Sequence, residues 1–230
     1  MDSVNQNANN AAGLQGAEKC APAACDDMLE LSCYDFMERL ASSAPVPGGG
    51  GASAFCGALA MCLGRMVGEL TVGKPKYVDV WDDIKMLLDR AEDLQARLCD
   101  AVARDAEAFE PLSKAYGIPK GEPGRDELME KCLRQAAAVP MDIAVLCCEG
   151  MDVLKEFSLK GSKLVISDAA TAAVFCKAAL QGAALNVRVN TALMKDREYA
   201  ERLNSKLSDI SRRGCALADE IYGDVTARVG

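Results

Sequence analysis

The sequence contains no histidine. That removes Ser–His and Cys–His nucleophile pairs, imidazole acid–base chemistry and His-ligated metals. Any proton transfer falls to Asp, Glu, Lys, Cys or Tyr. Aromatic residues are scarce, 5% of 230 with a single Trp. Ala, Leu, Val and Met must therefore build the core, which suits close-packed helices better than a β-sandwich. Positive charge is in deficit: 26 Lys and Arg face 34 Asp and Glu, for a net charge of −8 and a pI of about 4.8. This is the wrong sign for nucleic acid as main partner, though a local basic pocket for a small anion remains open. No two of the 11 cysteines form a Cys-x-x-Cys pair, so no metal centre is expected. Their odd number argues against a disulfide framework, and most lie in Ala/Leu/Val segments where a reduced thiol acts as a small hydrophobe. No leader with a basic flank and apolar core is visible. The longest apolar stretch, about Ala52 to Leu63, falls short of the ~20 residues that cross a bilayer. A soluble, cytoplasmic protein without membrane or nucleic-acid partners is expected.

Alternating strand patterns are also missing, and turn clusters are few. Apolar residues recur at steps of three and four instead. The expected fold is all-α: one domain, a bundle of about six long helices. Residues 1–25, rich in Ala, Asn, Gln and Gly, read as a mobile tail, and 26–230 as the helical domain. Helices are expected over about 26–42, 51–71, 78–116, 126–157 (bent at Pro140), 169–194 and 198–222. Ala54, Gly57, Met61, Gly64 and Gly68 form a stripe of small side chains on the second helix. It could seat a helix of the same chain or of a second subunit.

Five features bear on chemistry. Pro45 and Pro47 lead into Gly48, Gly49, Gly50 and Gly51 at the mouth of the second helix. The run is neither a P-loop nor a Rossmann fingerprint, yet it sets bare amides where the helix dipole attracts an anion or carbonyl. Asp105 shares its helix face with Ala101, Val102, Ala108 and Phe109. Burial there would tune it towards proton transfer near neutral pH, or it is a structural carboxylate bonded to a neighbouring helix. Asn186 and Asn190, at i and i+4 on a largely apolar face, suit either a heterocycle or interhelical hydrogen bonds. Ser167 and Asp168 read as helix caps that could also meet a ligand. Lys74, Lys76 and Lys120 sit in loops and would suit a polyanionic tail.

These pieces share the order of a known family. The segments FMERLASSAPVPGGGGASA, MVGELTVGKPKY, RDAEAFEPLSKAYGIPK, AAAVPMDIA, ISDAATAA and GAALNVRVN run from about Tyr34 to Leu207. Together they resemble the cyclodeaminase/cyclohydrolase family of tetrahydrofolate enzymes. The resemblance implies an all-helical homodimer with a folate bound near the glycine run and no metal or further cofactor. It implies that Asp105, in the Asp-Ala-Glu-Ala-Phe segment, is the proton donor and acceptor. Gly48, Gly49, Gly50, Ser167, Asp168, Asn186 and Asn190 would bind substrate, and Lys74 and Lys120 its glutamate tail. Two positions depart from the family pattern: Gly51 stands where Ser is common, and Ser162 follows Gly161 where Asn is common. The first expected reaction is 5-formiminotetrahydrofolate cyclodeaminase, giving 5,10-methenyltetrahydrofolate and ammonia. The alternative is methenyltetrahydrofolate cyclohydrolase, giving 10-formyltetrahydrofolate. A non-catalytic folate-binding helical dimer is a third reading.

Overall fold

The computed structural model describes residues 28–229. The expected tail, 1–25, lies outside them. Six α-helices follow in order: α1 Cys33–Leu40, α2 Gly49–Glu69, α3 Trp81–Tyr116, α4 Arg125–Lys160, α5 Ile166–Leu193 and α6 Arg197–Val229. Among the described residues there is no strand. Five helices are long, whereas α1 has only eight residues. Ser32 caps it by accepting from the Asp35 amide at 3.1 Å. The expected 78–116 helix begins later, because Pro75 opens a 3-10 turn, Pro75–Val80, kinked at Tyr77. Ser167 and Asp168 do not cap α5. The helix starts at Ile166 with Val165 at the cap position, so both lie inside its first turn.

α2 packs against α3, α4 and α5, and α6 closes the bundle over α4 and α5. The stripe of small residues on α2 faces inward. A side chain at Gly57 would meet Leu98 and Cys147 at 3.2 Å, and at Gly64 Leu154 at 2.7 Å. One at Gly68 would meet Leu88 at 2.7 Å and Phe157 at 2.8 Å. The glycines thus seat α2 on α3 and α4 of its own chain, and the stripe is not a subunit seam. These contacts also set direction. α2 runs antiparallel to α3 and α5 and parallel to α4.

By length and composition, α2 and residues Lys163–Leu193 could each cross a membrane, more than the sequence suggested. Both are core helices on one side. The other side of the pair is apolar yet uncovered, with Leu59 and Met66 on α2, Leu70 just after it, and Val174, Leu185 and Val189 on α5 all exposed. The nine described cysteines are free thiols, four of them buried.

Candidate functional site

The glycine run explains itself through its neighbours. The carboxyl of Asp105 lies directly over Gly50: a β-carbon there would stand 2.2 and 2.3 Å from the two carboxyl oxygens. No side chain larger than hydrogen leaves room for that approach. At Gly49 a β-carbon would come within 3.1 Å of Asn186 Nδ2. Gly48 meets nothing within 4 Å, and Gly51 meets only Pro47 and Val102 at ordinary contact distances of 3.6 and 3.7 Å. A β-carbon at Gly50 would therefore displace Asp105, and one at Gly49 would press on Asn186. The missing serine at 51 changes no packing. Ser53 does not replace its hydroxyl, since it donates to the Gly49 carbonyl at 2.6 Å.

Asp105 projects from α3 between the buried Val102 and Ala106 and the half-buried Phe109. Burial pushes its pKa above the ordinary value of 3.8, and the Gly51 backbone N–H pulls less strongly the other way. The net result is a carboxyl that holds its proton more tightly than a surface aspartate, at the amino end of a 21-residue helix. Such a group can take a proton and return it within one turnover.

Of the two asparagines, only Asn190 makes an interhelical hydrogen bond. Asn186 Nδ2 donates to the Gly182 carbonyl of its own helix at 2.9 Å. Asn190 Nδ2 donates to the Asn186 carbonyl at 2.9 Å and, across to α4, to the Ala136 carbonyl at 3.0 Å. The donors serve the protein. Neither Oδ1 receives a side-chain or backbone donor from the described residues, so both remain available as acceptors.

These groups converge on one cleft of about 210 Å³. Gly48, Gly49, Gly50, Asp105, Asn186 and Asn190 line it, with Pro45, Val46, Phe109, Tyr116, Ala136, Pro140 and Val189. Sequence reasoning missed Tyr116 and Pro140 as lining residues. Both lie inside motifs it had quoted, and the direction of their side chains depends on how α3 crosses α4.

The remaining expected residues lie elsewhere. Ser167, Asp168, Lys74 and Lys120 do not line the cleft. Lys120 belongs to the turn after Tyr116. Lys74 lies past the far end of α2, about 30 Å from Gly50 at 1.5 Å per residue. There its Nζ donates to Ser162 Oγ at 3.0 Å, while the Ser162 amide donates to Thr71 Oγ1 at 2.8 Å. The Lys163 amide donates to Tyr77 Oη at 3.0 Å, which holds that phenol below its usual pKa. Ser167 and Asp168 are at this same end, about 28 Å along α5 from Asn186. A larger groove of about 840 Å³ beside Arg134 and Lys195 is an open surface where Arg134 pairs with Glu130 and Asp196 and Lys195 with Asp126. Among the described residues no three metal-ligating side chains converge.

A family model described as formiminotransferase-cyclodeaminase matches residues 32–209. The chain belongs to this family. It is 40% identical over 198 residues to a protein of Methylorubrum extorquens named methenyltetrahydrofolate cyclohydrolase, covering 84% of this chain and 95% of that one. It is 28% identical over 205 residues to formimidoyltransferase-cyclodeaminase of Mus musculus, covering 87% of this chain but only 38% of the mouse protein. The crystal structure of formiminotetrahydrofolate cyclodeaminase from Thermotoga maritima matches with a TM-score of 0.81 at 28% identity, over 88% of this chain and 99% of that one. The protein is thus an enzyme of folate one-carbon metabolism, of the cyclodeaminase/cyclohydrolase kind. The family match spans both ends of the α2–α5 pair, the Asp105 cleft and the Lys74 loop alike.

Proposed function

We propose that this enzyme is a methenyltetrahydrofolate cyclohydrolase with Asp105 as its catalytic residue. The observation that carries this reading is the 40% identity to a protein of that name over nearly its whole length. The cleft's chemistry supports it. Water adds to the bridging carbon of 5,10-methenyltetrahydrofolate while Asp105 takes one of its protons. The carbon–N5 bond then breaks, and Asp105 returns that proton to N5. The second proton of the water leaves to solvent as the carbonyl forms, giving 10-formyltetrahydrofolate and one net proton. The free oxygens of Asn186 and Asn190 accept from N–H groups of the pterin. The Gly48–Gly50 amides hold a carbonyl or carboxylate at the helix mouth. The enzyme needs no metal and no cofactor beyond its folate substrate.

Formiminotetrahydrofolate cyclodeaminase is the second reading, favoured by the Thermotoga structure. There N10 attacks the carbon of the protonated formimino group, and the proton from N10 passes through Asp105 to the amino group, which departs as ammonia. Offering both substrates to the purified protein separates the readings: one consumes methenyltetrahydrofolate, the other releases ammonia.

We further propose that the working unit is a homodimer in the cytoplasm, where the free thiols stay reduced. A cleft of about 210 Å³ is smaller than the ~300–1,000 Å³ of typical ligand sites, and its lining carries no cation. Lys74 is at the other end of the same uncovered apolar face. A second copy laid antiparallel across that face, related by a two-fold axis, brings each Lys74 end to the other's Asp105 end. Lys74, Ser167 and Asp168 would then join the site from the partner, with Lys74 and Lys120 meeting the glutamate tail. Mass measurement in solution tests the dimer. A monomer, or a protein that sediments with lipid vesicles, would overturn it.

A further inference from the structure

α4 runs unbroken through Pro140, which is buried and lines the cleft. Proline has no N–H, so the carbonyl four residues earlier loses its partner within the helix. That carbonyl belongs to Ala136. A buried carbonyl left in this way is costly unless another donor reaches it. Here the donor is Asn190 Nδ2, from α5, at 3.0 Å. Its second hydrogen goes to the Asn186 carbonyl at 2.9 Å. With both hydrogens held by carbonyls, the carboxamide cannot turn over, because a flip would set its oxygen against two other oxygens. The oxygen is fixed as the free end.

α3 contains the contrasting case. Pro111 likewise frees the carbonyl of Glu107, but both residues are exposed, and water can satisfy that carbonyl. The same sequence device has two outcomes, and only the one in the cleft engages a side chain that the ligand would meet.

We propose that Pro140 is a positioning residue. By withholding its amide hydrogen it reserves the Ala136 carbonyl for Asn190, and so presents Asn190 Oδ1 to the ligand as an obligate acceptor for a ring N–H or amino group. The ligand half of this assignment rests on the folate reading above; the anchoring half does not. Pro140→Ala restores the amide, which then competes for the Ala136 carbonyl. Asn190 is released to rotate, while the helix itself is relieved of a proline.

The test has two arms. In the first, exchange of the Asn190 side-chain NH2 is followed by NMR on protein labelled at asparagine with 15N. Pro140→Ala should speed it about fivefold or more, the worth of one ordinary hydrogen bond, while Pro111→Ala leaves it unchanged. In the second, kinetics use whichever folate the enzyme turns over. Pro140→Ala should raise KM about fivefold with kcat within threefold of wild type. In an Asn190→Ala background the same substitution should add less than twofold, because the group it acts through is gone. Unchanged exchange in Pro140→Ala overturns the anchoring. Faster exchange with unchanged KM, or a fivefold KM effect that persists without Asn190, overturns the presentation to ligand. If neither folate is turned over, the folate reading fails by itself, and the exchange arm still decides whether Pro140 fixes Asn190.

Discussion

Gly50→Ala is the sharpest perturbation the structure offers. The new β-carbon would stand 2.2, 2.3 and 2.4 Å from Oδ1, Oδ2 and Cγ of Asp105. Ordinary carbon–oxygen contact needs more than 3 Å, so the overlap is about 1 Å. Either α2 or the carboxyl must move. α2 is held by Gly57, Gly64 and Gly68 against α3 and α4, where each close approach resists a shift. The carboxyl is the free end of a side chain and will yield first. A displacement of about 1 Å at a reacting group costs on the order of a hundredfold in rate. Stability should change little by comparison, because alanine is favoured over glycine in a helix by roughly 0.5–1 kcal/mol, offsetting part of the strain. The assay is kcat on the preferred folate beside a thermal melt. Gly51→Ala serves as the control, since a β-carbon there meets nothing closer than ordinary contact. A Gly50→Ala enzyme within threefold of wild type, or a control that loses as much as it does, would refute the reasoning.

Three further outcomes follow from the same geometry. Because burial raises the folded pKa of Asp105 above 3.8, the stability linked to its protonated form is complete below 3.8 and lost as pH rises through the folded value. Asp105→Asn should therefore gain stability over wild type on going from acid to neutral pH; melts across that range check this, and a constant difference contradicts it. Mixing Asp105→Asn with Lys74→Ala subunits at low substrate should recover about a quarter of wild-type activity, since half the reassorted dimers are mixed and each holds one intact site; no gain over the separate variants argues for a site within one chain. Gly64→Ala, with Leu154 at 2.7 Å, should cost ~1–3 kcal/mol by overpacking, read as a lowered denaturation midpoint with kcat unchanged.

Much of this was legible in the sequence because it is local. Helical periodicity placed Asp105 among apolar neighbours, and the structure keeps Ala101 and Val102 buried beside it. The i, i+4 spacing put Asn186 and Asn190 on one wall. What the pattern could not supply was the partner across space. Four glycines looked alike in the chain, yet only Gly49 and Gly50 are closely faced by opposing side chains, and those come from α5 and α3. The small-residue stripe on α2 could have faced either way, and only the positions of Leu98, Leu154 and Phe157 decide that it faces inward. Ser167 and Asp168 looked like caps because of their side chains, but Val165 holds that position, since the 3-10 turn Lys163–Val165 leads straight into α5. Lys74 and Asp105, in consecutive segments of the sequence pattern, lie at opposite ends of the α2–α3 pair.

The central claim is that Asp105 carries a cyclohydrolase reaction in this cleft. The most direct measurement follows loss of methenyltetrahydrofolate absorbance and release of ammonia from formiminotetrahydrofolate, for wild type and Asp105→Asn in parallel. The account predicts rapid methenyl loss by wild type, no ammonia release above the uncatalysed rate, and near-complete loss of turnover in a folded Asp105→Asn protein. Ammonia release as the dominant activity would contradict the assigned reaction, and normal turnover by Asp105→Asn would contradict the assigned residue.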